Sequence, residues 1–312
     1  MFRLTSTPFT SICTRTCAFA LGLAVGVPAS LSAFPDTGYT DTPYVKDLNW
    51  NIRDNNGVPQ TQKSPWHVHD PKRPRPAKVA GGSCLTPPAP ADADVLFDGT
   101  EASVKSAWKP NAPKQTLWKV KRGADGATLV SGSGDIVTQK SYGDAQFHIE
   151  WRVPADIDRS KWQGGNSGVF LQGTYEVQIY ESHSVDIYAD GPAASIYGQF
   201  PPQVNATLPA GNWQSYDIIF TAPRFDEKGK LLSPAWVTVL HNGVVVQANQ
   251  PLNGPTRWRN ANPYKKHPQR LPLRLQYHGD AVEFRNIWIR DLDKIKAANA
   301  QAEADVLAKR KK

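Results

Sequence analysis

Between residues 94 and 292 the chain is a succession of short apolar runs separated by turn residues. The runs span 127–130, 145–153, 168–171, 175–180, 215–221, 236–241, 244–248, 271–277 and 282–289. Rich in β-branched and aromatic residues and bounded by Gly, Pro, Asn or Asp, they predict strands. No segment of helical period is expected to interrupt them. The run 175–180 alternates strictly, with Tyr175, Val177 and Ile179 on one side and Glu176, Gln178 and Tyr180 on the other. His241-Asn242-Gly243-Val244 predicts a hairpin, because Asn-Gly accepts the positive φ angles of a type I′ turn. So many short strands predict an all-β fold, a two-sheet antiparallel sandwich or jelly roll.

The flanks read differently. Residues 34–93 carry little apolar period. Pro65-Trp66-His67-Val68-His69-Asp70, followed by Pro71, Pro74 and Pro76, predicts an extended segment lying across the main domain with Trp66 as anchor. Gly81-Gly82 and Pro87-Pro88-Ala89-Pro90 mark a linker before the jelly roll of 94–292. Residues 293–312, Ala- and Lys-rich, predict a basic helical or frayed tail. Residues 1–33 read as a secretory signal: Arg3 and Arg15, an apolar run over 17–27, then small residues up to a cleavage point near Ala33. That run is too short for a membrane span, and no later segment is apolar enough for one. The expected location is therefore secreted or periplasmic. Loss of the leader removes Cys13 and Cys17, leaves Cys84 alone and excludes an intramolecular disulfide.

Charge narrows the partners. The chain carries a net +8 over 312 residues, of which the tail from Asp293 holds +3 and the leader +2. The remaining +3 is spread thinly, with no basic stripe interleaved with aromatics, which argues against a nucleic-acid partner. His67, His69 and Asp70 have a metal-ligand composition, but one i,i+2 pair without a third clustered ligand is too little to predict a site.

Three strands bring polar pairs to a face. Glu150 shares its side with His148 and Arg152, Glu176 pairs with Gln178, and Gln276 with His278. The expectation is one concave sheet presenting all of them, with Asn166 closing the rim after a Gly-rich turn; the competing reading is a solvated polar face on each strand. Glu150, Glu176 and His278 are the candidates for acid–base work. Asn166, Gln178, Glu181, Gln276 and Arg152 are candidates for holding a substrate.

Together these stretches resemble the secreted bacterial 3-keto-disaccharide hydrolases, also described as 3-keto-glucoside 1,2-lyase or 3-keto-2-hydroxyglucal hydratase domains. The resemblance is carried by Leu96-Phe97-Asp98-Gly99-Thr100, Trp118, Gly143-Asp144-Ala145-Gln146-Phe147-His148-Ile149-Glu150-Trp151-Arg152, Gly165-Asn166-Ser167-Gly168-Val169 and Tyr175-Glu176-Val177-Gln178-Ile179. Asn212-Trp213, His241-Asn242-Gly243, Leu275-Gln276-Tyr277-His278-Gly279 and Val282-Glu283-Phe284-Arg285-Asn286-Ile287 continue it in order. Tyr180-Glu181 departs from the family, which usually has an aliphatic residue and Asp there. The resemblance implies a concanavalin-like jelly roll acting on a glycoside or oligosaccharide. A ketone at C3 acidifies the C2 proton, so a base can remove it, the C1 group leaves, and water adds back. A divalent metal held by Glu and His would stabilise the enolate. Two other readings stand beside it. Glu176, Gln178 and Glu181 share the spacing of a laminarinase-like retaining glycosidase, although that enzyme's middle Asp is Gln here. A non-catalytic lectin module would instead stack sugars on Trp162, Tyr180, Tyr188 or Tyr197.

Overall fold

The alternation read from the sequence is realised as two antiparallel sheets with the apolar sides facing inward. The computed structural model describes residues 66, 68–79, 82–158, 164–260 and 262–310. The leader 1–33 with its two cysteines, His67 and Trp162 lie outside the described residues.

In chain order the strands begin with β1 (Ala77–Lys78) and β2 (Asp94–Phe97). After helix α1 (Glu101–Ala107) come β3 (Trp108–Pro110), β4 (Lys119–Gly123), β5 (Gly126–Val130), β6 (Ile136–Thr138) and β7 (Ala145–Arg152). They continue with β8 (Ser167–Leu171), β9 (Tyr175–Ile179), β10 (Val204–Asn205), β11 (Gln214–Thr221), β12 (Arg224–Phe225) and β13 (Leu231–Ser233). Last are β14 (Trp236–His241), β15 (Val244–Pro251), β16 (Arg274–Leu275), β17 (Glu283–Asp291) and helix α2 (Leu292–Arg310).

One sheet has the order β15-β14-β11-β7-β17-β5-β4, with β2 also on β17; the other runs β3-β6-β16-β8-β9. This is the jelly-roll sandwich expected of the sequence. Phe147, Ile149 and Trp151 from β7 meet Tyr175, Val177 and Ile179 from β9 in a single core. Trp108, Trp151, Tyr175, Tyr216 and Phe284 are almost wholly buried there, each removal of such a side chain from water contributing roughly 1.5–3 kcal/mol before entropy offsets it. The Asn242-Gly243 turn has φ of 53° and 78°, as its hairpin requires.

One expectation fails. Helix α1 sits inside the region read as all strand. Seven residues are too few to show a helical period; the local signal is Thr100, whose side chain accepts from the Ser103 amide at 3.1 Å as an N-cap. Helix α2 continues β17 directly and is tethered near its start by Lys296 Nζ donating to Asp144 Oδ2 at 2.8 Å.

The segment before the domain folds onto it. β1 pairs in parallel with β10, the Arg75 side chain donates to the Ile187 carbonyl at 2.8 Å, and Lys78 to that of His183 at 2.6 Å. Residues 82–90 then cross the outer face of the larger sheet, where the Leu85 amide donates to Ser215 Oγ and Asn286 Nδ2 to the Pro87 carbonyl.

Candidate active site

The outer face of the smaller sheet carries the cavity. Side chains opposite the core on β8, β9 and β16, and on the extension of β16 to His278, line a space of about 630 Å³. Phe170, Glu176, Gln178, Arg274, Gln276 and His278 form its floor, and Asn166 one end. The loops 196–200 and 254–260 supply Tyr197, Thr256, Arg257 and Trp258.

Glu176 is the lone acidic residue among the described lining residues. It is 6% exposed, and its carboxyl lies over Gly168, where a β-carbon would collide with Glu176 Oε1. A side chain at 168 would have to displace the Glu176 carboxyl and the Phe170 ring, although the backbone there is not in the left-handed region. Burial pushes the Glu176 carboxyl up to about 8; Arg274 opposes this and Asp135 reinforces it. Arg274 itself donates to Asp135 at 2.6 Å and lies 3.5 Å over the Phe170 ring. The Glu176 amide donates to Thr256 Oγ1 at 2.9 Å, which ties the sheet to the upper loop.

Beside it, Gln178 is 1% exposed and its Oε1 finds no partner among the described residues. A buried amide oxygen without a donor costs on the order of 1–3 kcal/mol, which a substrate hydroxyl would recover. Gln276 is half-buried and His278 exposed at the mouth. Asn166 is presented by the Gly164-Gly165 turn, both glycines having positive φ, and Asp280 accepts from the Gly165 amide at 3.0 Å.

Three sequence candidates fall elsewhere. β7 belongs to the other sheet, so Glu150 and Arg152 face the opposite side of the sandwich from Glu176 and His278. This corrects the expectation of one shared concave face: strand parity pairs Glu150 with Arg152, but does not say which sheet holds them. Glu150 is fully buried under residues 82–90, accepting from Arg285 Nε at 2.6 Å and Asn286 Nδ2 at 2.8 Å, with His148 Nε2 at 3.4 Å. Burial raises its carboxyl, but these contacts outweigh that and hold it below the usual range. Cys84 Sγ lies 3.6 Å from Glu150 Oε2, and burial together with that carboxylate pushes the thiol up to about 12. Arg152 pairs with Glu283 and Asp125 and, like Arg285, lies over the Trp213 ring. Glu181 is 1% exposed, outside the cavity, and its carboxylate caps the following turn, accepting from the His183 and Ser184 amides and the Ser184 hydroxyl.

Of the aromatic candidates, Tyr197 lines the cavity, Tyr188 bonds to it hydroxyl to hydroxyl at 2.7 Å, and Tyr180 is buried. Sequence reasoning missed Trp258, 59% exposed at the mouth. Its signal was present: a tryptophan between Arg257 and Arg259, in a stretch with no apolar period to bury it. Among the described residues, no group of three or more His, Cys, Asp or Glu is placed to hold a metal ion. His69 is paired with Asp190 instead.

A family model described as a 3-keto-alpha-glucoside-1,2-lyase-like domain matches residues 92–290. The chain belongs to this family. The match spans both sheets and the whole cavity lining. A crystal structure from Parabacteroides distasonis, named a "putative glycosyl hydrolase", is 36% identical over 77% of this chain and 99% of its own, with a TM-score of 0.60. A second protein of that name and organism is 23% identical over 64% of this chain and 93% of its own, at a TM-score of 0.43. The carbohydrate-binding module CBM66 from Bacillus subtilis is 10% identical over 58% and 93%, at 0.33. No curated protein matches the chain.

Proposed function

We propose that this protein is an exported carbohydrate-active enzyme that cleaves 3-keto-glycosides by elimination and rehydration. Family membership and the 36% identical relative named as a glycosyl hydrolase support carbohydrate chemistry. The observation that carries the finer reading is the solitary carboxyl of Glu176, buried and protonated up to about pH 8, in a cavity that also holds a histidine. A retaining glycosidase needs two carboxylates about 5–5.5 Å apart, and Glu181, the only partner the sequence offered, is committed to its turn.

Elimination needs one base and one acid. His278 removes the C2 proton, and the electron pair delocalises into the C3 carbonyl. Collapse of that enolate forms the C1–C2 double bond and breaks the bond from C1 to the glycosidic oxygen, which takes its proton from Glu176. Water then adds at C1 and a proton returns to C2, so the sum is hydrolysis. Gln178, Gln276 and Asn166 hold the sugar hydroxyls, and Trp258 and Tyr197 cover the ring faces.

The test is release of nitrophenol from matched 4-nitrophenyl glucosides with and without a 3-keto group. Release from the keto substrate alone supports the proposal; release from the ordinary glucoside refutes it. The exposed Trp258 platform favours a second reading, a sugar-binding module. It predicts that both substrates bind and neither is cleaved.

A further inference from the structure

The polypeptide in front of the matched domain packs behind one residue of the cavity lining, Tyr197, through a side-chain cluster. His69, in the segment Val68–Val79, donates its amide to Asp190 Oδ2 at 3.0 Å, and its ring Nδ1 lies 3.1 Å from Asp190 Oδ1. Its φ is 59°, a conformation a non-glycine residue keeps only when its surroundings impose it. The His69 ring packs on Tyr188 with centroids 3.8 Å apart and stands 5.3 Å from Tyr197. Tyr188 and Tyr197 share a hydroxyl hydrogen bond of 2.7 Å, and Tyr197 faces the cavity.

The same segment holds the turn that follows. Val68 Cγ1 would lie 3.4 Å from a β-carbon at Gly198, and Arg73 Nη1 donates to the Gln199 carbonyl at 3.0 Å. The Gln199 side chain bridges to the second rim loop, donating to the Gly254 carbonyl at 2.9 Å and accepting from the Asn253 amide at 2.8 Å. That loop leads to Thr256 and Trp258.

We infer that His69 and Asp190 are positioning residues for the cavity: they clamp Tyr188 and through it fix Tyr197 against the bound sugar. His69 lies before the first residue of the family match at 92, so the domain alone would lack this packing of the His69 ring on Tyr188. The inference rests on the cavity being the substrate site.

The test uses the full chain with His69→Ala, Tyr197→Ala and the double variant, assayed on the 3-keto 4-nitrophenyl glucoside. His69→Ala should raise KM about tenfold, the scale of one lost aromatic contact, with kcat within about twofold. The double variant should match Tyr197→Ala alone, because a clamp has no effect once its target is gone. An unchanged KM, or additive effects, would overturn the inference. If His69→Ala does not fold, Asp190→Asn removes the charge with little change of shape and is read in the same way. A wild-type protein that neither cleaves nor binds the glucoside refutes the functional reading. Hydrogen exchange then decides the clamp: faster exchange of the Tyr197, Gly198 and Gln199 amides in His69→Ala, with Ile149 and Trp151 unchanged, supports it, and no difference overturns it.

Discussion

Replacing Glu176 by Gln separates what the carboxyl does for catalysis from what its burial does to stability. The folded carboxyl titrates at about 8, against 4.5 for the free group. Between those values the folded state keeps a proton that the unfolded chain has lost, so the wild-type protein loses stability as pH rises through this window. The slope is about 1.4 kcal/mol per pH unit, or about 3 kcal/mol between pH 5 and pH 7. Because the side chain is only 6% exposed, solvent screening removes little of this. Gln has nearly the same shape and no charge, so Glu176→Gln should be more stable than wild type by an amount that grows from pH 5 to about 8 and then levels off. His241, which burial lowers to about 3, titrates in both proteins and cancels in the difference. Urea melts followed by tryptophan fluorescence at pH 5, 6, 7 and 8 measure it. Activity should move the other way: kcat should fall by roughly 10²–10⁴ with the acid removed, and wild-type activity should decline above about pH 8 as Glu176 ionises. A stability difference that does not change with pH would refute a buried, protonated Glu176.

Three further outcomes follow from the geometry. Trp258→Ala should raise KM several-fold and leave the melting temperature unchanged, since the ring is mostly exposed; calorimetric titration with the keto-glucoside checks the binding part. Gly168→Ala should displace the Glu176 carboxyl and lower kcat by at least tenfold, with loss of the activity decline near pH 8 as the signature that separates it from simple unfolding. Glu150→Ala should cost about 3 kcal/mol in urea melts, because it leaves Arg285 without its carboxylate and His148 with Asp217 alone. At temperatures where that variant remains folded, its kcat and KM should equal those of wild type.

Much of this protein was legible as sequence because period-two alternation is a local property. It assigned Tyr175, Val177 and Ile179 to the core and Glu176 and Gln178 to the other face, and the Asn-Gly pair marked the hairpin at residue 242. Family membership was likewise readable from the order of motifs along the chain. Sequence did not determine which strands share a sheet. β7 and β9 carry equivalent acid-bearing patterns, yet hydrogen bonding places β7 between β11 and β17 and β9 beside β8, so Glu150 and Glu176 end on opposite sides of the core. Nor did spacing along 176–181 reveal that the Glu181 carboxylate caps the turn that follows it. The cavity wall was the least legible part: Tyr197 was only one of four candidate stacking aromatics, Trp258 was missed, and the His69–Asp190 pair behind Tyr188 joins irregular segments far apart in the chain. Alternation is written residue by residue, whereas the meeting of loops depends on long-range packing that has no local period.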